Sequence, residues 1–232
     1  MSNKIKIKSA DDKDIPVYIY EPSIERIGAI VLIQEIFGVN KVMRDLADWY
    51  SSLGYHVLCP DIFWRIEPGI DITDQTKEEW NKAFDLFGKF DIDQGVKDLI
   101  SSVNHLRNLD NCNGKVGTVG YCLGGKLSYL MSCRSNADCN VSYYGVGLED
   151  LLNESENMKT PYLSHVAEKD SFVPKDAQQK ILSNLSTNNF CDLYIYPGQE
   201  HAFARVGGEH YNEDAANLAN DRTKTFFEKH LF

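Results

Sequence analysis

The 232-residue sequence has few basic residues and no long hydrophobic run. It contains 24 Lys and Arg against 34 Asp and Glu, which gives a net charge of -10 at pH 7. Binding to nucleic-acid phosphates is driven by clustered Lys and Arg, so we expect no nucleic-acid partner. The longest apolar stretch, IGAIVLI, has seven residues, whereas crossing a bilayer takes about 20. We therefore expect no membrane association.

The six cysteines form no C-x-x-C pair. A chain of this size can build a core without disulfides, so we expect reduced thiols and a cytoplasmic protein. The N-terminal segment MSNKIKIKSADDKD lacks the apolar core of a secretion signal, which predicts no export.

Strand and helix patterns alternate along the chain. AIVLIQE (29–35) is an apolar run typical of a central parallel strand, and KVMRDLADWYSS (41–52) has apolar residues at helical spacing. Such alternation predicts a single α/β domain over residues 1–232, with three α/β/α layers around a mainly parallel sheet. Residues 61–80 are irregular and of mixed polarity, which predicts a lid-like loop.

Four polar side chains follow predicted strands. They are Glu35 after AIVLIQ, Cys122 after KVGTVGY, Asp170 after PYLSHVAE and His201 after CDLYIYP. Ligands of open α/β sheets bind beyond the carboxyl ends of the strands. We therefore expect these four residues to lie at one edge of the sheet.

Gly120, Cys122 and Gly124 fit G-x-C-x-G, the thiol form of the nucleophile elbow. The following helix would direct its free N–H groups at the sulfur and favour a thiolate. Glycines also recur where a helix packs closely on a strand, so a structural cysteine is the alternative. Asp170 alone could be a turn residue and His201 a loop residue. The chain order nucleophile, acid, histidine is nevertheless typical of α/β hydrolases.

A metal site is the other chemistry that these side chains could support. EHAFARVGGEH contains Glu200, His201, Glu209 and His210 but no H-x-H or H-E-x-x-H pattern. We therefore expect no metal.

The sequence resembles the dienelactone hydrolase family over about residues 10–228. The resemblance rests on QEIFGVN, FDIDQGVKDL, GKVGTVGYCLGGK, YYGVGLE, KDSFVP and HAFAR. It implies an α/β hydrolase fold, a triad of Cys122, His201 and Asp170, and Glu35 as a fourth participant that takes the thiol proton when substrate enters. It also implies no metal or organic cofactor, a monomer, and a small lactone or ester as substrate, of the type of dienelactone opened to maleylacetate.

The chemistry of this group of residues can also be derived directly. His201 would accept the thiol proton, Asp170 would orient the imidazole, and the backbone N–H groups of Leu123 and Ile36 would stabilise the oxyanion. The thiolate would attack the ester carbonyl and form a thioester, which water then hydrolyses.

The chain departs from the family at the substrate. Family members use two arginines for the substrate carboxylate: Arg205 matches the first, but Trp80 stands at the position of the second. We therefore expect a preference shifted toward neutral or aromatic esters and lactones. The alternatives are a hydrolase of another small ester, and a thiol redox or ligand-binding protein on the same scaffold.

Overall fold

The computed structural model describes residues 2–22 and 28–232, and these residues form one eight-stranded sheet. From one edge to the other, the strands lie in the order β1, β2, β4, β3, β5, β6, β7, β8. β1 and β2 pair antiparallel with each other, β2 pairs antiparallel with β4, and the remaining neighbours are parallel. The strands are β1 (Ser2–Lys8), β2 (Asp14–Tyr20), β3 (Ala29–Ile33), β4 (His56–Pro60), β5 (Val116–Tyr121), β6 (Cys139–Tyr143), β7 (Tyr162–Ala167) and β8 (Cys191–Tyr196).

Helices cover both faces of this sheet. Tyr50 and Phe227, from the first and last helices, meet with ring centroids 6.1 Å apart, while the third and fourth helices pack against each other. The predicted three-layer α/β/α hydrolase fold is thereby confirmed. None of the helices in residues 2–22 and 28–232 is long and apolar enough to cross a membrane. The helices are α1 (Lys41–Ser52), α2 (Lys77–Lys89), α3 (Ile92–Arg107), α4 (Leu123–Arg134), α5 (Lys175–Leu185) and α6 (Glu213–Leu231), with a 3₁₀ helix at Leu152–Asn157.

The parallel strands end level with one another. Ile33 at the end of β3 pairs with Gly120 of β5, and Tyr121 at the end of β5 pairs with Tyr143 of β6. Because the carboxyl ends share one edge, the residues that follow them meet there. The central strands β3, β4, β5 and β6 are buried along their whole length, which gives this edge a rigid base.

The predicted lid-like loop over residues 61–80 is shorter than expected, because α2 begins at Lys77. Thr76 caps this helix by accepting a hydrogen bond from the Glu79 N–H at 3.2 Å, and Glu79 in turn accepts one from the Thr73 N–H at 2.8 Å. This capping places Trp80 in the first turn of a helix. The start of the loop is stabilised by Asp61, whose buried carboxylate accepts a hydrogen bond from the Gly69 N–H at 2.7 Å.

Candidate active site

Cys122 stands at a sharp turn between β5 and α4. Its backbone has φ +56° and ψ −113°, a region that non-glycine residues rarely occupy. A Cβ atom at Gly120 would lie 1.9 Å from the Gly124 carbonyl oxygen, and one at Gly124 would lie 2.3 Å from the Ile33 carbonyl oxygen. The two glycines therefore permit the close approach of strand and helix that the turn requires.

The turn is held from β6. The Cys122 N–H donates to the Tyr143 carbonyl at 3.0 Å, and no side chain caps the start of α4. Leu123 is the first residue of this helix, and Ile36 lines the same cavity as Cys122. Both predicted oxyanion donors thus belong to segments that border the thiol, and their role stays a prediction.

His201 and Asp170 form a buried pair next to Cys122. Nδ1 of His201 lies 2.8 Å from Oδ2 of Asp170, and the other oxygen of Asp170 accepts a hydrogen bond from the Phe172 N–H at 2.8 Å. The histidine ring is held between aromatic side chains, since its centroid lies 5.1 Å from that of Tyr144 and 4.8 Å from that of Phe172.

The electrostatics of this pair favour a charged imidazole. Burial disfavours the imidazolium, but the Cys122 thiolate charge and the hydrogen bonds with Asp170 and Cys122 outweigh burial and raise the pKa of His201 to about 10. A thiolate beside an imidazolium is the form in which a cysteine acts as a nucleophile. The three predicted triad residues are therefore brought together in a geometry suited to nucleophilic chemistry.

Backbone strain concentrates at this site. In the part of the chain that the structure describes, four non-glycine residues have positive φ, and three of them, Cys122, Tyr144 and Ala202, follow β5, β6 and β8. Such conformations cost of order 1–3 kcal/mol each and cluster at functional sites. The distribution of strain thus marks the same sheet edge as the triad.

Glu35 and Arg205 form an ion pair. Oε2 of Glu35 lies 2.9 Å from Nε of Arg205, and both side chains are almost fully buried. Oε1 of Glu35 is also buried, and it accepts no hydrogen bond from any described residue. The far end of the Arg205 guanidinium forms a second ion pair, with Asp74. The candidate substrate-binding arginine is thus already held by two carboxylates.

A cavity of about 220 Å³ opens over Cys122 and His201. Five aromatic side chains line the cavity, and the Trp80 ring contacts two of the others, stacked on Phe84 at 5.4 Å and edge-to-face with Phe37 at 5.0 Å. Trp80 therefore supplies apolar area at the position where the resemblance to the family implies an arginine. The aromatic residues of the wall are Phe37, Trp80, Phe84, Phe87 and Phe172.

The sequence patterns did not indicate several of the residues that line or border the cavity. Lys126 lies one turn after Cys122 on α4, and a Cβ at Gly147 would approach its Nζ to 2.6 Å. Burial lowers the pKa of Lys126, while the negative charges of Glu149 and Asp150 oppose that shift. Helical spacing could have indicated Lys126, which lies four residues beyond Cys122. No local signal links Asp74 to Arg205, because they are 131 residues apart.

The other thiols differ from Cys122 in their surroundings. Burial raises the pKa of Cys59, Cys133 and Cys139, and raises that of Cys191 to about 12. Cys112 is half-buried at the surface. Cys122 instead lines a cavity together with His201, and its negative charge raises the pKa of that histidine.

The segment EHAFARVGGEH places His201, Glu209 and His210 in different environments. In residues 2–22 and 28–232, no group of three or more His, Cys, Asp or Glu side chains is placed to hold a metal ion. His201 is hydrogen-bonded to Asp170, while Glu209 and His210 are exposed.

Comparison with known proteins confirms the resemblance to the dienelactone hydrolase family over nearly the whole chain. A model of the dienelactone hydrolase family matches residues 15–231. A protein of Azospirillum brasilense is 44% identical over 233 residues, which cover 98% of each sequence. The carboxymethylenebutenolidase of Pseudomonas putida is 37% identical over 226 residues, 97% of this chain and 96% of its own. A solved structure from Klebsiella pneumoniae subsp. pneumoniae superposes with a TM-score of 0.85 at 22% identity, and covers 99% of this chain and 98% of that one.

Proposed function

The chain belongs to the dienelactone hydrolase family, and we propose that Cys122 is the nucleophile with which it opens a lactone or small ester. Its relatives make it a carboxylic ester hydrolase. One observation above all supports the proposed nucleophile. The His201 imidazole, fixed by Asp170 at 2.8 Å, lines the same cavity as the Cys122 thiol, which stands at a strained turn.

The first half of the reaction forms a thioester. The Cys122 thiolate attacks the carbonyl carbon, the C=O electron pair moves to oxygen, and the tetrahedral intermediate collapses with cleavage of the C–O bond. His201 gives its proton to the leaving oxygen through Nε2, since Nδ1 is bonded to Asp170. In a lactone the leaving oxygen remains attached to the acyl chain, so no fragment departs at this stage.

The second half hydrolyses the thioester. His201 now takes a proton from water, and the hydroxide attacks the acyl carbon. The C–S bond breaks, which restores the Cys122 thiolate beside the protonated His201. A lactone thus becomes one hydroxy acid, or a keto acid where the released oxygen is enolic.

The negative oxygen of each tetrahedral intermediate must be stabilised by hydrogen-bond donors. The Leu123 N–H at the start of α4 and the Ile36 N–H after β3 fulfil this role in the proposed mechanism. Both come from elements that converge on the elbow, and the helix dipole of α4 adds to their effect. Neither donor requires a metal ion or an organic cofactor.

Glu35 regulates the thiol in this proposal. Its Oε1 is buried and lacks a hydrogen-bond donor among the described residues, so it can accept a proton. A carboxylate close to Cys122 opposes thiolate formation, and this opposition protects the free enzyme from oxidation. Entry of substrate would then move the thiol proton to Glu35.

Replacement of the thiol tests this proposal. We expect Cys122→Ala to lose roughly 10³-fold or more of kcat/KM on the best aryl ester or on dienelactone, as removal of a triad member does elsewhere. The control is Cys112→Ala, which removes the half-buried surface thiol and should leave turnover unchanged. Intact mass spectrometry of the quenched wild type should show an acyl group on Cys122. Retention of most activity by Cys122→Ala would refute the nucleophile and favour a redox or binding role for the thiol.

A further inference from the structure

Two carboxylates already engage the guanidinium of Arg205. Nε lies 2.9 Å from Glu35, and the opposite end is bound by the carboxylate of Asp74. One flat face of the guanidinium is covered as well, because Cζ lies 5.0 Å from the centroid of the Phe37 ring. Arg205 is only 7% exposed, so bulk water does not screen these contacts effectively.

Asp74 is held in place for this contact. Trp80 donates its indole N–H to the Asp74 backbone carbonyl at 2.9 Å, and Gln75 donates to the second oxygen of the Asp74 carboxylate at 2.7 Å. The Asp74 side chain is 13% exposed. The hydrogen bonds from Trp80 and Gln75 therefore hold Asp74 in a position where it pairs with Arg205.

A substrate carboxylate would have to compete with this internal one. A group on the same chain competes at an effective concentration on the order of mM or more, which exceeds the KM of many enzymes for their substrates. A substrate carboxylate that entered without displacing Asp74 would be repelled by the net negative charge of Glu35, Arg205 and Asp74 together. The other cation of the cavity, Lys126, is offset by Glu149 and Asp150.

We propose that Asp74 is a specificity-determining residue, which occupies Arg205 in place of a substrate carboxylate and restricts the site to neutral esters and lactones. This inference rests on the proposed hydrolase function and names its substrate class. The aromatic wall around Trp80 suits the apolar or aromatic groups of such substrates.

A matched ester pair tests the proposal. Mono-4-nitrophenyl glutarate carries a free carboxylate, and methyl 4-nitrophenyl glutarate is its neutral counterpart. We expect the wild type to prefer the neutral ester. Asp74→Asn should raise the acidic-to-neutral ratio of kcat/KM by roughly tenfold or more, the effect of one charge-assisted hydrogen bond. Asp74→Glu, which keeps a carboxylate, should preserve the wild-type preference.

Asp71→Asn is the matched control. Asp71 lies in the same loop but pairs with Arg44 at 2.7 Å, so this variant should leave the ratio within about twofold. An unchanged ratio in Asp74→Asn, with neutral hydrolysis intact, would refute the role of Asp74 and leave the proposed hydrolase function standing. A wild-type preference for the acidic ester would refute it as well.

A second readout does not depend on turnover. Phenylacetate, a carboxylate that cannot be hydrolysed, should slow the alkylation of Cys122 by iodoacetamide in Asp74→Asn and not in the wild type. Equal protection of both proteins would contradict the proposal. Loss of ester hydrolysis in all proteins, combined with the expected protection pattern, would contradict the hydrolase function while supporting Asp74.

Discussion

Replacement of Arg205 by methionine should destabilise the protein far more than loss of a surface arginine. Methionine keeps much of the side-chain volume and removes the charge. Two carboxylates, the buried Glu35 and the largely buried Asp74, would then remain without their counterion. A strong effect is expected because an uncompensated buried charge costs more than the pair contributes when intact.

The magnitude follows from burial. The side chains of Arg205, Glu35 and Asp74 are 8%, 4% and 13% exposed, so solvent screening is weak for all three. Breaking a buried pair by removing one partner typically costs about 3–5 kcal/mol. At roughly 2–4 °C per kcal/mol for a chain of this length, the melting temperature should fall by about 6–20 °C.

Urea unfolding under reducing conditions measures this free energy directly. The control is Arg44→Met, because Arg44 pairs with Asp71 at 2.7 Å with side chains 30% and 48% exposed. Such a pair contributes about 0–1 kcal/mol. Combining Arg205→Met with Glu35→Gln and Asp74→Asn should recover part of the loss, since the orphaned charges are gone. If Arg205→Met cost no more than Arg44→Met, the account of a buried ionic triad would be wrong.

Two further predictions concern the thiol. The pKa of His201, raised to about 10 from an ordinary value of 6.5, contributes stability that is fully present below about pH 6.5 and is lost as the pH rises through about 10. Cys122→Ala removes the thiolate charge and should flatten the fall in melting temperature across this window relative to the wild type. Parallel curves would contradict the pairing. Glu35→Gln should speed iodoacetamide labelling of Cys122 while slowing ester turnover, because a carboxylate that opposes the thiolate is gone. Slower or unchanged labelling would rule out this role.

The elements of the fold could be predicted because they depend on local patterns. The predicted helix over residues 41–52 matches α1, whose start is set by Asn40 accepting a hydrogen bond from the Met43 N–H at 3.2 Å. The loop predicted over residues 61–80 extends past the start of α2 at Lys77. The capping of α2 by Thr76 and Glu79 lies in a stretch whose mixed polarity hides the helical pattern.

The positions of the proposed catalytic residues could be predicted because the sheet topology brings them to one edge. Cys122, Asp170 and His201 each follow a strand of a sheet whose parallel strands end at one edge. The partners of Arg205 could not be predicted in the same way. Asp74 lies outside any strand or helix, and its contact depends on how Trp80 and the preceding loop pack.

Glu35 connects the chemistry of the site with its selectivity. One oxygen of its carboxylate faces Arg205, and the other is buried without a donor. Arg205 divides its charge between Glu35 and Asp74, so Glu35 is less fully neutralised than it would be in a simple pair. A stronger negative charge on Glu35 opposes the thiolate of the free enzyme and accepts a proton more readily. Asp74 thus influences the reactivity of Cys122 through Arg205, in addition to excluding carboxylates. Release of Arg205 by Asp74→Asn should therefore speed iodoacetamide labelling of Cys122 in the same direction as Glu35→Gln, but by a smaller factor.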